Sequence, residues 1–305
     1  MYDVIIIGGG AAGLNAALYA GRGGMRTLLI EKLAPGGQVA LTYEVDNYIG
    51  FDENPTGQEL ADKMLAHAKK FGVEITNETV KSIENEEEPV KTVRTRKNGY
   101  ETRTIILAPG ATPRKLDVDG EERLRGMGVS YCATCDGAFF KGQMAAVVGG
   151  GNTACEDALY LARFCTKVYL IHRREGFRAA ATVLDKVKAE PKIEIITNAV
   201  VEKIEGDTAV SGVHVKNVKT GETALLDVAA VFIAVGIVPD TELAKTVVAL
   251  DEGGFIKTDD YMRTSTPGIF AAGDARDTVL RQIITAAADG AIAAVSAVNQ
   301  INSQQ

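Results

Sequence analysis

Four apolar residues, Val4 to Ile7, run straight into "GGG" and then into the small-residue stretch "AAGLNAA". An unbroken apolar run bounded by glycine predicts a buried strand, and the stretch after it predicts a helix. The pattern returns at an offset of 141 residues, where "AAVVGGGNTACEDA" (145–158) matches "VIIIGGGAAGLNAA" (4–17). The match continues, since "LLIE" (28–31) corresponds to "YLIH" (169–172) and "ILAPGATP" (106–113) to "FIAVGIVP" (232–239). Each copy therefore predicts a complete βαβ unit, and the chain carries two dinucleotide-binding modules.

The expected fold class is α/β, with two Rossmann-like domains. The charged stretch 114–130, with Gly120, Gly126 and Gly128, suits a domain connection, and a second connection is expected near 240–253. The remaining tail is too short for a domain of typical size and should pack back on the first module. The expected partition is 1–114 with 243–305 for the first domain and 115–242 for one inserted into it.

A chain of 305 residues, 46% hydrophobic and 24% charged, suits a globular protein of about two domains. The formal charge of -7 argues against nucleic acid or an anionic membrane as the main partner. Four cysteines are too few for a secreted disulfide scaffold. The N-terminus lacks the basic start of an export signal. The Ala-rich stretch 284–298 contains Asp289 and Gly290 and is shorter than the ~20 residues that span a bilayer. The expectation is a soluble cytoplasmic protein.

In the first module Gly8 makes the tight turn, Gly10 admits a pyrophosphate and Gly13 allows helix to pack on strand. Glu31 ends the next strand, where a carboxylate can accept from a ribose diol. In the second module Gly149, Gly151 and Ala154 take these places, and the acid is replaced by His172, followed by Arg173, Arg174 and Arg178. Guanidinium groups pair with a 2′-phosphate that a carboxylate would repel, so this module reads as NADPH-selective. A second nicotinamide would leave no redox intermediary, whereas a flavin in the first module gives donor and acceptor.

The dithiol candidate is "CATCDG", with Cys132, Cys135 and Asp136. A zinc site lacks ligand spacing, because Cys155 and Cys165 fall in the second module's helix and His67, His172 and His214 are scattered. Cys155 and Cys165 read as small buried hydrophobes. The C-x-x-C fits a couple that opens and closes as electrons pass, with Asp136 supplying a proton to a departing thiolate if burial raises its pKa.

Together "CATCDG", "GGGNTACEDALYLARF", "HRREGFR" and "AAGDARDTVLRQIITAAADG" resemble the low-molecular-weight NADPH-dependent thioredoxin reductases over essentially the whole chain. The resemblance implies a homodimer in which the NADPH domain is inserted into a discontinuous FAD domain, and which reduces the disulfide of thioredoxin. It implies Cys135 as the flavin-proximal thiol, Cys132 as the exchanging thiol and Asp136 as the acid. It places Gly36, Gly37, Gln38, Asn47, Asp274, Arg281 and Gln282 at FAD, and Asn152 and Thr153 with the second glycine motif at NADPH. It also implies rotation of one domain against the other during turnover. Pro109 and Ile49 depart from the family's usual Thr and Pro.

Other readings are a same-fold dithiol flavoenzyme with another electron donor, a specialised thioredoxin-like acceptor, or a nucleotide-binding redox sensor. A peroxiredoxin-system reductase would carry an additional N-terminal domain, and ferredoxin-driven relatives lack the intact second glycine and arginine set.

Overall fold

The structure is a computed structural model that describes residues 1–42, 44–51 and 53–304. The chain divides into two compact units, Met1–Thr112 with Val238–Gln305, and Pro113–Ile237.

In the first unit β1 (Tyr2–Ile7) lies parallel between β2 (Thr27–Glu31) and β6 (Gly99–Leu107), with Ile6 opposite Leu29 and Ile106. β3 (Glu74–Asn77) extends the sheet beyond β2, and β17 (Ile269–Ala271) pairs with the end of β6. The parallel order is thus β3-β2-β1-β6-β17, completed by a strand from the second chain segment. The first half of β6 instead carries the antiparallel ribbon of β5 (Lys91–Thr95) and β4 (Val80–Glu84).

Both faces of β1 are buried, which is why its apolar run does not alternate. Val4 and Ile6 pack in one cluster with Leu14, Leu29, Ile106 and Ala293, while Ile5 and Ile7 pack in another with Leu28, Ile105 and Ile269. Helix α2 (Gly57–Lys69) precedes β3, and helices α1 (Ala11–Arg22) and α6 (Ile283–Ser303) meet through small residues. A Cβ on Gly290 would lie 2.1 Å from the Ala12 carbonyl oxygen. Helix α6 is longer than the apolar stretch 284–298 because Ile283 precedes that stretch and "NQINS" continues it, to 21 residues in all. By length and composition it could cross a membrane, but Ala287, Gly290, Ala293, Ala294, Ala297 and Ile301 are buried as core.

The second unit repeats the plan. Its sheet runs β11 (Ile193–Thr197), β10 (Lys167–His172), β9 (Met144–Val148), β15 (Ala230–Ile233), β8 (Val129–Ser130), all parallel. Helix α4 (Asn152–Ala162) joins β9 to β10, and α5 (Ala181–Ala189) joins β10 to β11. An antiparallel sheet of β12 (Ala199–Glu205), β13 (Gly212–Asn217) and β14 (Thr223–Leu226) precedes β15. The chain passes between the units at β7 (Ala111–Pro113) and β16 (Ile237–Pro239), which pair with each other.

The charged stretch 114–130 is folded into this unit rather than spanning open solvent. Glu121, 2% exposed, accepts hydrogen bonds from the Asp117 N–H at 2.7 Å, the Leu116 N–H at 3.0 Å and the Tyr131 hydroxyl at 2.6 Å. A carboxylate facing several N–H groups organises a loop that sequence composition alone presents as a linker.

Glu121→Ala should leave those donors without an acceptor and cost about 3 kcal/mol of stability. Urea unfolding of the two proteins measures this, and a loss under about 1 kcal/mol would show that the carboxylate does not hold the loop.

Candidate active site

The end of β1 meets the start of α1 at a turn with no room for side chains. Gly8 has φ of 108°, and a Cβ there would lie 2.2 Å from the Ala108 carbonyl oxygen. A Cβ on Gly13 would lie 1.8 Å from the Gly8 carbonyl oxygen. Gly10, by contrast, faces open space and caps α1 without a side-chain hydrogen bond. The first-turn N–H groups of α1 thus remain available, no acidic residue sits among them, and the helix dipole favours an anion. These are the properties a pyrophosphate requires, so the turn fits the group.

Glu31 is buried beneath this turn. Its Oε2 accepts from Gly9 N–H at 2.7 Å and its Oε1 from Leu33 N–H at 2.9 Å. The carboxylate therefore fixes the glycine turn as well as offering oxygens to a ribose. Gly36 N–H donates to the Gly9 carbonyl at 2.7 Å, and a Cβ on Gly37 would lie 3.0 Å from Gly10 Cα, so "GGQ" lies on the same turn. Gln38 is exposed, with its Nε2 3.5 Å from the Ala111 carbonyl oxygen. Asn47 donates to Gln282 Oε1 at 3.1 Å, which ties the segment after β2 to the start of α6. Ile49 is 86% exposed.

Asp274 follows β17, and burial pushes its carboxyl pKa up while the nearby Arg281 opposes the shift. Arg281 donates to the Asp274 carbonyl at 3.3 Å and stacks 4.4 Å over the Phe255 ring. Sequence reasoning missed the support beneath them. Asp289 accepts from Arg276 at 2.6 and 3.1 Å and from Gly273 N–H at 3.1 Å, fixing the "GD" turn. Its only sequence signal is an acid inside an otherwise Ala-rich helix.

The second glycine turn has the same form. A Cβ on Gly149 would lie 2.4 Å from the Ala234 carbonyl oxygen, whereas Gly151 faces open space and caps α4 without a side-chain hydrogen bond. Under Gly150 lies the His172 ring, where Glu31 lies under Gly9. A Cβ on Gly150 would meet His172 Cε1 at 2.1 Å. His172 is 6% exposed, stacks 4.7 Å from Phe177 and bonds the Gly176 carbonyl through Nε2. Burial lowers its pKa, so it forms a neutral floor for the turn.

Arg173, Arg174 and Arg178 are exposed. The loop carrying them is tied to the glycine turn by Arg178 N–H to the Gly150 carbonyl at 2.8 Å. Ala180 N–H to Asn152 Oδ1, also 2.8 Å, ties it to the start of α4. Thr153 is exposed in the first turn of that helix.

The dithiol lies in the same unit. Cys132, which caps the short helix α3 (Ala133–Asp136), forms a disulfide with Cys135 inside it, with Cα atoms 5.3 Å apart. Ala133 between them is buried, and a Cβ on Gly137 would meet Leu161 and Phe164, so α3 is seated on the α4 side of the core. Ser130 Oγ donates to Asp136 Oδ2 at 2.5 Å and accepts from Cys132 N–H at 3.0 Å. The sequence placed Ser130 in plain view in "GVSYCATCDG", but nothing in the spacing marks it. Cys155 and Cys165 are fully buried and free, and burial raises both thiol pKa values. Among the described residues no three His, Cys, Asp or Glu side chains gather as a metal site.

The pyridine nucleotide-disulphide oxidoreductase family matches residues 2–290. The chain is 47% identical to the thioredoxin reductase of Listeria monocytogenes over 298 residues, covering 97% of this chain and 93% of that one. It is 44% identical to the thioredoxin reductase of Bacillus subtilis over 306 residues, covering 100% and 96%. The crystal structure of thioredoxin reductase from Streptococcus pyogenes superposes with a TM-score of 0.95, at 47% identity and 99% coverage of each chain.

Asp157 on α4 has its carboxyl pushed up to about 7, first by burial and then by the charge of Glu156. The unfolded chain ionises this group near its ordinary value of 3.8, so between about pH 4 and pH 7 the folded state holds the extra proton. Its contribution to stability is full at acid pH and is lost as pH rises to about 7. Asp157→Asn should therefore gain on the order of 4 kcal/mol relative to the parent at pH 8 compared with pH 4. Denaturant unfolding at both pH values checks this, and an identical difference at both would refute it.

Proposed function

Because the chain belongs to the pyridine nucleotide-disulphide oxidoreductase family, we propose that it works as a thioredoxin reductase. Electrons pass from NADPH through FAD and the Cys132–Cys135 couple to the disulfide of thioredoxin. The observation that carries this reading is the disulfide in the C-A-T-C-D turn of the unit with the arginine-bearing nucleotide motif. Relatives of nearly full coverage named thioredoxin reductase support it. When bound, FAD supplies the step between a two-electron hydride donor and a disulfide.

We assign the first unit to FAD and the second to NADPH. The α1 N-terminus, with Gly8, Gly10 and Gly13, holds the FAD pyrophosphate, and Glu31 accepts from the adenosine ribose. Gly37, Gln38, Asn47, Asp274, Arg281 and Gln282 complete that site. Gly149, Gly151, Asn152 and Thr153 form the NADPH phosphate turn over the His172 floor. Arg173, Arg174 and Arg178 take the 2′-phosphate, where exposure lets their planar forks reach it.

In the exchange, Cys132 gives its proton to the Asp136 carboxylate and attacks one sulfur of the partner disulfide. The leaving thiolate takes the proton back from Asp136. Cys135, deprotonated to solvent, then displaces the partner's second sulfur from Cys132, and that sulfur is protonated by solvent. Two thiols are oxidised, one disulfide is reduced, and Asp136 ends as it began.

The same reading includes a cytoplasmic homodimer. For the dimer, the support is the open face of the first unit, where a 510 Å³ cavity is lined by Tyr19, Arg22, Tyr48, His67 and Ala291. Ile284, Ile292 and Val295 of α6 are exposed on that helix.

Anaerobic titration with NADPH should bleach the flavin, and oxidised thioredoxin should restore its absorbance. Bound flavin that NADPH leaves oxidised would point to another electron donor. Replacing Arg173 and Arg174 with Gln should weaken NADPH far more than NADH, and equal weakening would remove the 2′-phosphate assignment. Cys135→Ser should keep flavin reduction by NADPH and lose thioredoxin reduction. Full turnover by that variant in a coupled disulfide assay would refute the role of the couple.

A further inference from the structure

We propose that Ser130 is a positioning residue for the acid of the dithiol. Its hydroxyl holds the Asp136 carboxyl against the Cys132 peptide and stays bonded to it through both protonation states. The inference rests on the reading of Asp136 as the group that takes and returns a proton during exchange.

Three polar groups surround Ser130 Oγ. Asp136 Oδ2 lies at 2.5 Å, the Cys132 nitrogen at 3.0 Å and the Cys132 carbonyl oxygen at 3.3 Å. A hydroxyl has one proton to donate and two lone pairs to accept with. The Cys132 N–H always occupies one lone pair. When Asp136 is ionised, the hydroxyl proton points at Oδ2, the nearer acceptor and the charged one. When Asp136 carries a proton on Oδ2, that proton is donated to Ser130 Oγ, and the serine proton turns to the Cys132 carbonyl. The hydroxyl then accepts twice and donates once, which uses its full capacity. In both states the hydroxyl keeps its bond to Asp136 Oδ2 and the one from the Cys132 N–H, while its proton turns.

The site is rigid enough for this to matter. Ser130 is 5% exposed, ends β8 and pairs with Phe232 of β15, itself 1% exposed. The next residue, Tyr131, is anchored by its hydroxyl to Glu121 at 2.6 Å. Ala133, 1% exposed, fixes the far side of the turn. Ser130 Oγ thus ties the acid to the strand, and the proton that Asp136 handles changes the hydrogen bonding of the Cys132 peptide.

The charged and titratable groups on α4, which packs against α3, are Cys155, Glu156, Asp157 and Tyr160, with Arg163 just past its end; Glu121, Glu122, Arg123, Arg125 and Tyr131 lie on the stretch leading into the turn. Asp157 titrates close to neutrality, so its signal must be separated from that of Asp136.

The test is the rate of Cys132 alkylation by iodoacetamide in holoenzyme reduced with dithiothreitol, followed from acid to alkaline pH. The inflection due to Asp136 is the one that Asp136→Asn removes and Asp157→Asn keeps. A hydrogen bond to an ionised carboxylate lowers its pKa, so Ser130→Ala should move that inflection up by about one pH unit. Ser130→Thr should return it towards the parent position. The isosteric pair Ser130→Thr and Ser130→Val separates the hydroxyl from side-chain volume should the alanine variant not fold. An inflection unmoved in Ser130→Ala, or moved equally by Thr and Val, overturns the proposal. An Asp136→Asn profile that loses no inflection overturns the role of Asp136 and this inference with it. Failure of the parent to reduce thioredoxin would defeat the functional reading alone, since the alkylation profile needs no thioredoxin.

Discussion

Backbone pressed against backbone is the constraint on which both units depend. At Gly13 the helix approaches the Gly8 carbonyl so closely that a methyl group would stand 1.8 Å from its oxygen. That approach aims the uncapped end of α1 at the space above the strand ends, and the other site residues of the unit are arranged around it. In the second unit Ala154 stands where Gly13 does, and its Cβ lies 2.7 Å from where a Cβ on Gly149 would be. The excluded volume has moved from the helix to the turn, while the helix terminus still points outward.

The two turns differ in what lies beneath them. Under Gly9 is a carboxylate that accepts an N–H from the turn, and under Gly150 is an imidazole that burial keeps neutral. A neutral floor leaves the potential above it to the exposed arginines of the following loop. One scaffold thus gains different selectivities from one position at the end of the second strand.

The parallel strands, the repeat of the βαβ unit and the dithiol were legible in the sequence, because apolar runs, glycine spacing and a C-x-x-C report local geometry directly. Less legible were residues whose roles come from distant partners. Glu121 lies in a charged run that composition presents as a connector, yet its carboxylate is buried by the N–H groups it binds. Ser130 ends the stretch that composition presents as a connection, and its partner Asp136 is brought to it only by the turn. Asp289 is an acid in an alanine helix, and only the fold brings Arg276 to it. The apolar stretch 284–298 does not report the full length of α6, because the polar residues after it still carry helical structure.

Cys155 and Cys165 have no solvent exposure, and both thiols are raised in pKa by burial. A hydrophilic thiol reagent applied to the native protein therefore meets only Cys132 and Cys135. A simple colorimetric thiol count becomes a gauge of how many electrons the enzyme is holding at its exchange site, and the denatured protein supplies the fixed reference of two additional sulfhydryls.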